Sequence, residues 1–330
     1  MKCIELGKTI LIGGMIMIIC TAGCRIHETV ETSAECIAVR AIEGEECSFL
    51  PKNREFRLVW NDEFNGTSLD ETKWNYRTNF WGHRAHWFAA PEDNAVEIKD
   101  GHIHLKIVKK ADGQFVSPQL QTGELMWDIA WDEKRTGFFP LPKRNKPKFV
   151  HKYGYYECRF RLQRKEGWWS AFWMQTEQQG CTTDPAISGV EHDILESFSP
   201  GEIIAHCFHA NGYSHDYLGF RTPRVKDAIE PEAIVRVGTD DFHTIGMLWE
   251  PDGYTVYSDG VQHGPKVGTG TGEAVSHIPE FILLTTECHP YREDKMTRQP
   301  DEELRKKLEA AVAAKDEFAV DIVRVYDIVK

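Results

Sequence analysis

Short segments in which apolar and polar residues alternate recur along the chain from about residue 56. Residues 97–107 alternate across an Asp-Gly dipeptide, which is typical of a β-hairpin turn. Residues 153–162 alternate again, as do residues 244–249 and 254–257, which flank a Pro-Asp-Gly turn sequence. Strands of this length, separated by turn residues, predict an all-β fold, a β-sandwich of packed antiparallel sheets.

One segment near the C-terminus has a different period. Residues 300–318 are rich in Glu, Lys, Leu and Ala, and they place Leu304, Leu308 and Val312 at helical spacing. This pattern predicts a single amphipathic helix, inserted before a last strand at residues 319–328.

The first residues of the chain predict a targeting segment. Lys2 and Lys8 precede an apolar run at residues 10–19 that is too short to span a bilayer as a stable helix. Residues 1–23 are therefore interpreted as a signal peptide. They end in Thr-Ala-Gly before Cys24, which resembles the lipobox of bacterial lipoproteins, in which the cysteine is acylated. The alternative is a plain signal peptide cut nearby, with Cys24 an ordinary thiol.

These features predict how the rest of the chain is organised and where the protein resides. Residues 24–55 are polar and acidic, which favours a tether between a lipid anchor and a domain that occupies residues 56–330. We expect an exported monomer that is anchored through Cys24 to the bacterial outer membrane or cell surface, and otherwise is periplasmic or secreted. Within the tether, Cys36 and Cys47 bracket a short loop and could form a disulfide.

The net charge narrows the choice of partners. The formal net charge is −12 at pH 7, and no long basic stripe with interleaved aromatic residues occurs. Because an acidic surface repels phosphate backbones, nucleic acid is excluded as an expected partner. A neutral or locally recognised polymer fits this balance better.

Three carboxylates fall within six residues of a segment with strand character, namely Glu191, Asp193 and Glu196. Residues two apart on a strand share a face, so Glu191 and Asp193 point the same way and Glu196 points to the other face. A β-bulge between Asp193 and Glu196 would absorb one residue and return Glu196 to the same side. We therefore expect all three acids to line one groove.

Glycosidic bond cleavage needs such an arrangement. One carboxylate attacks the anomeric carbon and a protonated one donates to the leaving oxygen, and in retaining enzymes the two lie about 5–5.5 Å apart. Glu191 is the candidate nucleophile, Glu196 the candidate general acid/base and Asp193 their helper. Trp169 and Trp173, in a dense aromatic segment upstream, are candidate sugar-stacking residues. The alternative for the bare acid motif is a solvated acidic strand or a calcium loop.

At this point the sequence resembles glycoside hydrolase family 16, in the branch that contains laminarinases, agarases, porphyranases and carrageenases. The resemblance covers most of residues 56–330. It is carried by five motifs in order: Trp60-Asn61-Asp62-Glu63-Phe64-Asn65-Gly66, Tyr153-Gly154-Tyr155-Tyr156-Glu157-Cys158-Arg159, Trp169-Ser170-Ala171-Phe172-Trp173, Glu191-His192-Asp193-Ile194-Leu195-Glu196 and Val320-Asp321-Ile322-Val323-Arg324-Val325-Tyr326.

The resemblance implies a concanavalin A-like jelly roll of two curved antiparallel sheets, with an open-ended groove and therefore endo cleavage by double displacement. It implies further substrate-binding residues at Asn79, Trp81 and His209, with Trp169 as the platform beside the cleaved bond. No cofactor is needed for this chemistry. Some members hold a structural calcium ion, and Glu63, Gly101 and Asp321 are the matching positions here.

Departures from the family pattern bear on the substrate. Residues 83–88 lack the "N-E-x-Q-x-Y" stretch that is usual in laminarinases, so we expect a polysaccharide substrate that is a β-glucan or a β-galactan. Five basic residues could bind substrate sulfates or could be ordinary surface charge: Arg84, Arg135, Lys143, Arg144 and Lys146.

Three other functions remain open at this stage: a non-catalytic, lectin-like carbohydrate-binding sandwich, a transglycosylase that uses the same acids, and a surface interaction protein.

Overall fold

The computed structural model describes residues 29–30, 35–80, 83–84, 87–123, 147–176, 185–204, 207–210, 234–268, 275–288 and 300–329. Within these residues, two eight-stranded antiparallel sheets contribute to one large apolar core. This confirms the predicted all-β sandwich with its jelly-roll character.

The front sheet carries the acid motif. In chain order, its strands are β5 (Asn75–Tyr76), β12 (Gln119–Gln121), β14 (Trp168–Gln175), β15 (Val190–Ser199), β16 (Glu202–Ile204), β17 (Cys207–Ala210), β18 (Ile234–Arg236) and β22 (Phe281–Cys288). In space they run β18-β16-β15-β14-β22-β12-β5, and β17 pairs with the first half of β15. The strand with the three acids thus lies inside the sheet.

The back sheet packs against the core side of the front sheet. In chain order, its strands are β4 (Phe56–Asp62), β8 (Val96–Lys99), β9 (His102–Lys106), β13 (Gly154–Arg161), β19 (His243–Glu250), β20 (Gly253–Ser258), β21 (Val261–Gly268) and β23 (Glu317–Ile328). Their spatial order is β21-β20-β19-β13-β23-β9-β8, with β4 paired to β23. The hairpin predicted at the Asp-Gly turn is the pair β8 and β9.

Smaller elements complete the described chain. They are β1 (Thr29–Val30), β2 (Cys36–Val39), β3 (Ser48–Pro51), β6 (Asn79–Phe80), β7 (His83–Arg84), β10 (Val108–Lys109), β11 (Phe115–Val116), a 3-10 turn at Pro91–Asp93, and the helices α1 (Pro185–Ser188) and α2 (Glu302–Ala313).

Helix α2 is the predicted amphipathic helix. Asp301 caps its N-terminus by accepting a hydrogen bond from the backbone N–H of Leu304, at 2.7 Å. Leu304 and Leu308 are buried against the core, as their spacing predicts. The helix ends at Ala313, five residues before the predicted end of the helical segment. The last strand begins at Glu317 rather than at the predicted residue 319.

The core between the sheets determines which side chains face away from it. On β14, Trp168, Phe172 and Met174 belong to the core, and they pack in the same cluster as back-sheet residues such as Tyr156 and Val323. Because side chains alternate along a strand, the intervening residues of β14 point to the opposite face of the front sheet. We call this the open face.

The prediction of a tether at residues 24–55 is wrong for the part that the structure describes, residues 29–30 and 35–55. Strands β1, β2 and β3 form a small antiparallel sheet, and its Cys36 and Leu50 pack with back-sheet residues such as Tyr155 and Tyr326. The backbone N–H of Phe49 also donates to the Glu157 carboxylate at 2.6 Å. We call residues 36–51 the N-terminal hairpin. Its two strands are short and apolar, but the acidic residues Glu43, Glu45 and Glu46 lie between them, and the composition of residues 24–55 as a whole concealed the strands.

The pairing register separates the two cysteines of this hairpin. Cys36 lies opposite Pro51, whereas Cys47 precedes Ser48, which lies opposite Val39. The two are therefore about 13 Å apart along the ladder, at about 3.3 Å per residue, which is too far for the disulfide considered above.

No helix among the described residues is long and apolar enough to cross a membrane. The predicted signal peptide at residues 1–23 and Cys24 lie outside the described residues.

Candidate active site

A β-bulge in β15 places the three acids on one face. Phe172 of β14 pairs with Leu195, but the next residue, Trp173, pairs with Asp193, so Ile194 is the extra residue. Ala171 then lies opposite Glu196. Since Ala171 and Trp173 are two residues apart on an unbulged strand, Glu196 and Asp193 face the same way. The bulge lies where the odd spacing of the motif predicted it.

The face that carries the acids is the open face. Phe172 and Leu195 both belong to the core, and their neighbours Ala171 and Glu196 therefore point away from it. Glu191 lies on the same side, because its carboxylate accepts a hydrogen bond from Gln175 Nε2 at 3.1 Å. This bond fixes the orientation of one carboxylate of the motif. Glu191 and Asp193 are buried, whereas Glu196 is partly exposed to solvent.

The two tryptophans predicted as sugar platforms share this face but are more buried than expected. Trp169 is 1% exposed and Trp173 is 8% exposed. The Trp173 indole donates from Nε1 to Thr285 Oγ1 at 3.0 Å, which holds its ring in place next to Asp193. Trp168, which belongs to the same aromatic segment, is a core residue.

Phe198 is a residue of the open face that the sequence analysis did not identify. It follows Glu196 by two residues, and its ring centroid lies 5.5 Å from that of Trp169 with an interplanar angle of 32°. The alternation rule applied beyond the acid motif would have found it. Phe198 is partly exposed, and so it can present an aromatic surface beside Glu196.

Arg77 is a second missed residue. It lies at the far end of a row that crosses the front sheet from Glu196 through Ala171, Thr285 and Gln119. Four strand spacings of about 4.8 Å separate the backbones at the two ends by roughly 19 Å. The side chain of Arg77 is buried, and its guanidinium carbon lies 5.6 Å from the centroid of the Trp173 ring. A cation is thereby held on the open face.

The other residues predicted to contact the substrate are described only by the position of their backbone, or not at all. Asn79 lies in β6 opposite Arg84 of β7, and His209 lies in β17 directly opposite Glu191 in the backbone register. The side chains of these three residues lie outside the described part of the chain, as do Trp81 and the other four candidate sulfate ligands.

The residues predicted for calcium do not fit the ion as they are placed. Both carboxylate oxygens of Glu63 accept hydrogen bonds from Arg324, at 3.0 and 2.6 Å. Asp321 is paired with Arg159, and Gly101 lies in the turn between β8 and β9. Guanidinium groups therefore neutralise both carboxylates that the ion would need. The described residues also contain no cluster of three His, Cys, Asp or Glu side chains that could hold a metal.

Paired carboxylates on the open face of a sheet, beside aromatic side chains, serve the cleavage of glycosidic bonds. The class of protein that this fold and site define is a β-sandwich glycoside hydrolase. Within that class, the chain belongs to glycoside hydrolase family 16: residues 59–328 match the family model described as Beta-porphyranase A-D, GH16 domain.

Similarity to individual proteins is more distant. Glucan endo-1,3-beta-glucosidase A1 of Niallia circulans is 29% identical over 220 residues, which cover 62% of this chain and 28% of that protein. Beta-glucanase of Rhodothermus marinus is 27% identical over 221 residues, covering 62% of this chain and 65% of the relative. The chain thus spans about a quarter of the first relative and just under two thirds of the second.

A solved structure shows the same fold. The laminarinase from Rhodothermus marinus superposes with a TM-score of 0.56 at 21% identity, over 84% of this chain and 100% of that one.

Proposed function

We propose that this protein is an endo-acting, retaining β-glycoside hydrolase that cleaves a β-linked polysaccharide by double displacement. Glu191 is the nucleophile, Glu196 is the general acid/base and Asp193 lies between them as helper. The observation that carries the proposal is the bulge at Ile194, which brings all three acids to the open face. A bulge in a central strand disrupts the ladder, and bulges are frequent next to active sites, where they redirect a side chain.

The surroundings of each acid suit its role. Gln175 donates to Glu191, which favours the ionised carboxylate and holds it for attack on the anomeric carbon. Glu196 is partly exposed, so it can donate a proton to the leaving oxygen and later take one from water. Asp193 lies between Glu191 and Glu196 in the strand. Its negative charge there favours the protonated form of Glu196, the general acid.

We propose that the preferred polymer is a sulfated β-galactan. The support is the porphyranase type of the matching family model, together with Arg77, whose guanidinium lies on the open face against the Trp173 ring. Guanidinium groups bind sulfate through paired hydrogen bonds, which a neutral polymer cannot supply. The matching family model is of the porphyranase type, whereas the named relatives are glucanases, so the β-glucan is the competing substrate.

The test is a product-size assay on porphyran, agarose, carrageenan, laminarin, lichenan and mucin glycans. We expect oligosaccharides of several sizes from porphyran, and no product from the Glu191→Gln variant. The matched control is Glu202→Gln, an acid of the same sheet that pairs with Arg236 at the surface, and it should cleave like the parent protein. Products from laminarin alone would replace the galactan with a glucan. Cleavage of none of the polymers would favour a lectin-like protein.

The transglycosylase remains the second candidate, because it forms the same covalent intermediate on Glu191. An added oligosaccharide acceptor separates the two functions. A hydrolase gives the same products with and without the acceptor, whereas a transglycosylase elongates it.

A further inference from the structure

Glu280, directly before β22, connects to the residues on both sides of Glu191. Its Oε1 accepts from the backbone N–H of Val190 at 3.4 Å, and its Oε2 lies 2.6 Å from Nδ1 of His192. One carboxylate therefore holds the chain immediately before and immediately after the candidate nucleophile. The contact crosses behind β14, because β14 separates β15 from β22 in the front sheet.

This contact lies in the core, on the side of the sheet opposite to the acids. The side chains of His192 and Glu280 are both 0% exposed. Their neighbours along β15 on the core side, Val190 and Ile194, are apolar. Burying two polar groups costs free energy unless they bind each other. Two apolar side chains would therefore pack in this part of the core at least as well, and packing alone does not account for the pair.

Both members of the pair are fixed by further contacts. The backbone of Glu280 exchanges two hydrogen bonds of 2.9 Å with His151. The His192 ring lies against Tyr254 and Trp249, with centroids 4.4 and 5.4 Å away. Tyr254 is itself held by the backbone N–H of Ser276, which donates to its hydroxyl at 2.7 Å. The pair is thus a rigid support rather than a loose contact.

We propose that Glu280 and His192 are positioning residues that set the backbone of Glu191 and so the place of the nucleophile carboxylate. The inference rests on the proposed function and deepens it. Because side chains alternate, holding residues 190 and 192 from the core fixes the direction in which residue 191 points onto the open face. A displacement of about 1 Å in a reacting group can lower a rate by about a hundredfold.

The experiment compares four variants on the polymer that the product assay identifies. Glu280→Leu removes the support, and the double variant His192→Ile/Glu280→Leu removes it without leaving the buried imidazole unpaired. The Val190 N–H loses its side-chain acceptor equally in both variants. Glu280→Gln is the conservative variant, because its amide can accept from Val190 and donate to His192. His104→Leu is the control, since it breaks a contact of 2.9 Å in the back sheet between the buried His104 and the half-buried carboxylate of Glu317.

We expect kcat of the double variant to fall about 10- to 100-fold with KM within about threefold, since binding is retained and alignment is lost. Its melting temperature should recover relative to Glu280→Leu, which separates positioning from stability. Glu280→Gln should keep most of kcat. His104→Leu should lower the melting temperature and leave kcat unchanged.

Parental kcat in the double variant would overturn the inference while leaving the proposed function intact. An equal loss in His104→Leu would also overturn it, because the effect would then be one of general stability. Turnover by Glu191→Gln would refute the proposed function, and the inference would fall with it.

Discussion

The N-terminal hairpin should be an integral part of the folded domain, and the Leu50→Ala substitution tests this. Leu50 is 6% exposed and packs with Tyr155 and Tyr326 of the back sheet. Truncating a buried leucine costs about 2–5 kcal/mol, and we expect about 2–3 kcal/mol here because a hairpin at the surface can relax into the gap. For a domain of this size that corresponds to a fall in melting temperature of about 3–5 °C.

The assay is thermal unfolding followed by circular dichroism, with Val59→Ala as the control. Val59 lies in β4 of the back sheet but is 37% exposed, so its truncation should change stability by less than about 0.5 kcal/mol. If the hairpin were only a tether, Leu50→Ala would match this control. That result would refute the reasoning.

The reactivity of Cys36 is a second test of whether the N-terminal hairpin packs against the back sheet. Burial raises the pKa of its thiol to about 12, so at pH 8 the native protein presents a shielded thiol rather than a thiolate. Iodoacetamide should therefore modify Cys36 slowly in the native protein and faster in Leu50→Ala. Equal rates in the two proteins would contradict a docked hairpin.

Three further predictions concern the open face and the back sheet. Arg77→Met should lower kcat/KM on a sulfated polymer about tenfold or more and have little effect on the desulfated polymer; equal losses on both would contradict sulfate binding. Phe198→Ala should raise KM about 2- to 10-fold with kcat nearly unchanged, in steady-state assays, since stacking on an aromatic ring is worth about 0.5–1.5 kcal/mol. Treatment with EDTA should leave the melting temperature unchanged, because Glu63 and Asp321 are paired with arginines. A fall in melting temperature that added calcium reverses would instead show that a calcium ion is bound.

The acid motif is the part of the site that the sequence determined best. The two-residue period of a strand and the odd spacing of Glu196 together require a bulge, and the register at Ile194 contains one. Local rules suffice here because all three acids lie on one strand. The same period predicts Phe198, two residues beyond Glu196 on the same strand.

Residues that depend on contacts between distant segments could not be found in this way. Arg77 reaches the open face only through the register of β5, β12 and β22. His192 and Glu280 are 88 residues apart in the chain, and no local pattern links them. Sequence patterns also treated Glu63 as a free calcium ligand, whereas its partner Arg324 is 261 residues away.

We propose that Glu191 and Glu196 cleave by double displacement, and this mechanism retains the configuration at the anomeric carbon. The most direct measurement is proton NMR of the anomeric signals during the first minutes of polymer cleavage, before the new reducing ends mutarotate. We expect the β-anomer to appear first and the α-anomer only later. Initial appearance of the α-anomer would show inversion and would contradict the assignment of Glu191 as the nucleophile.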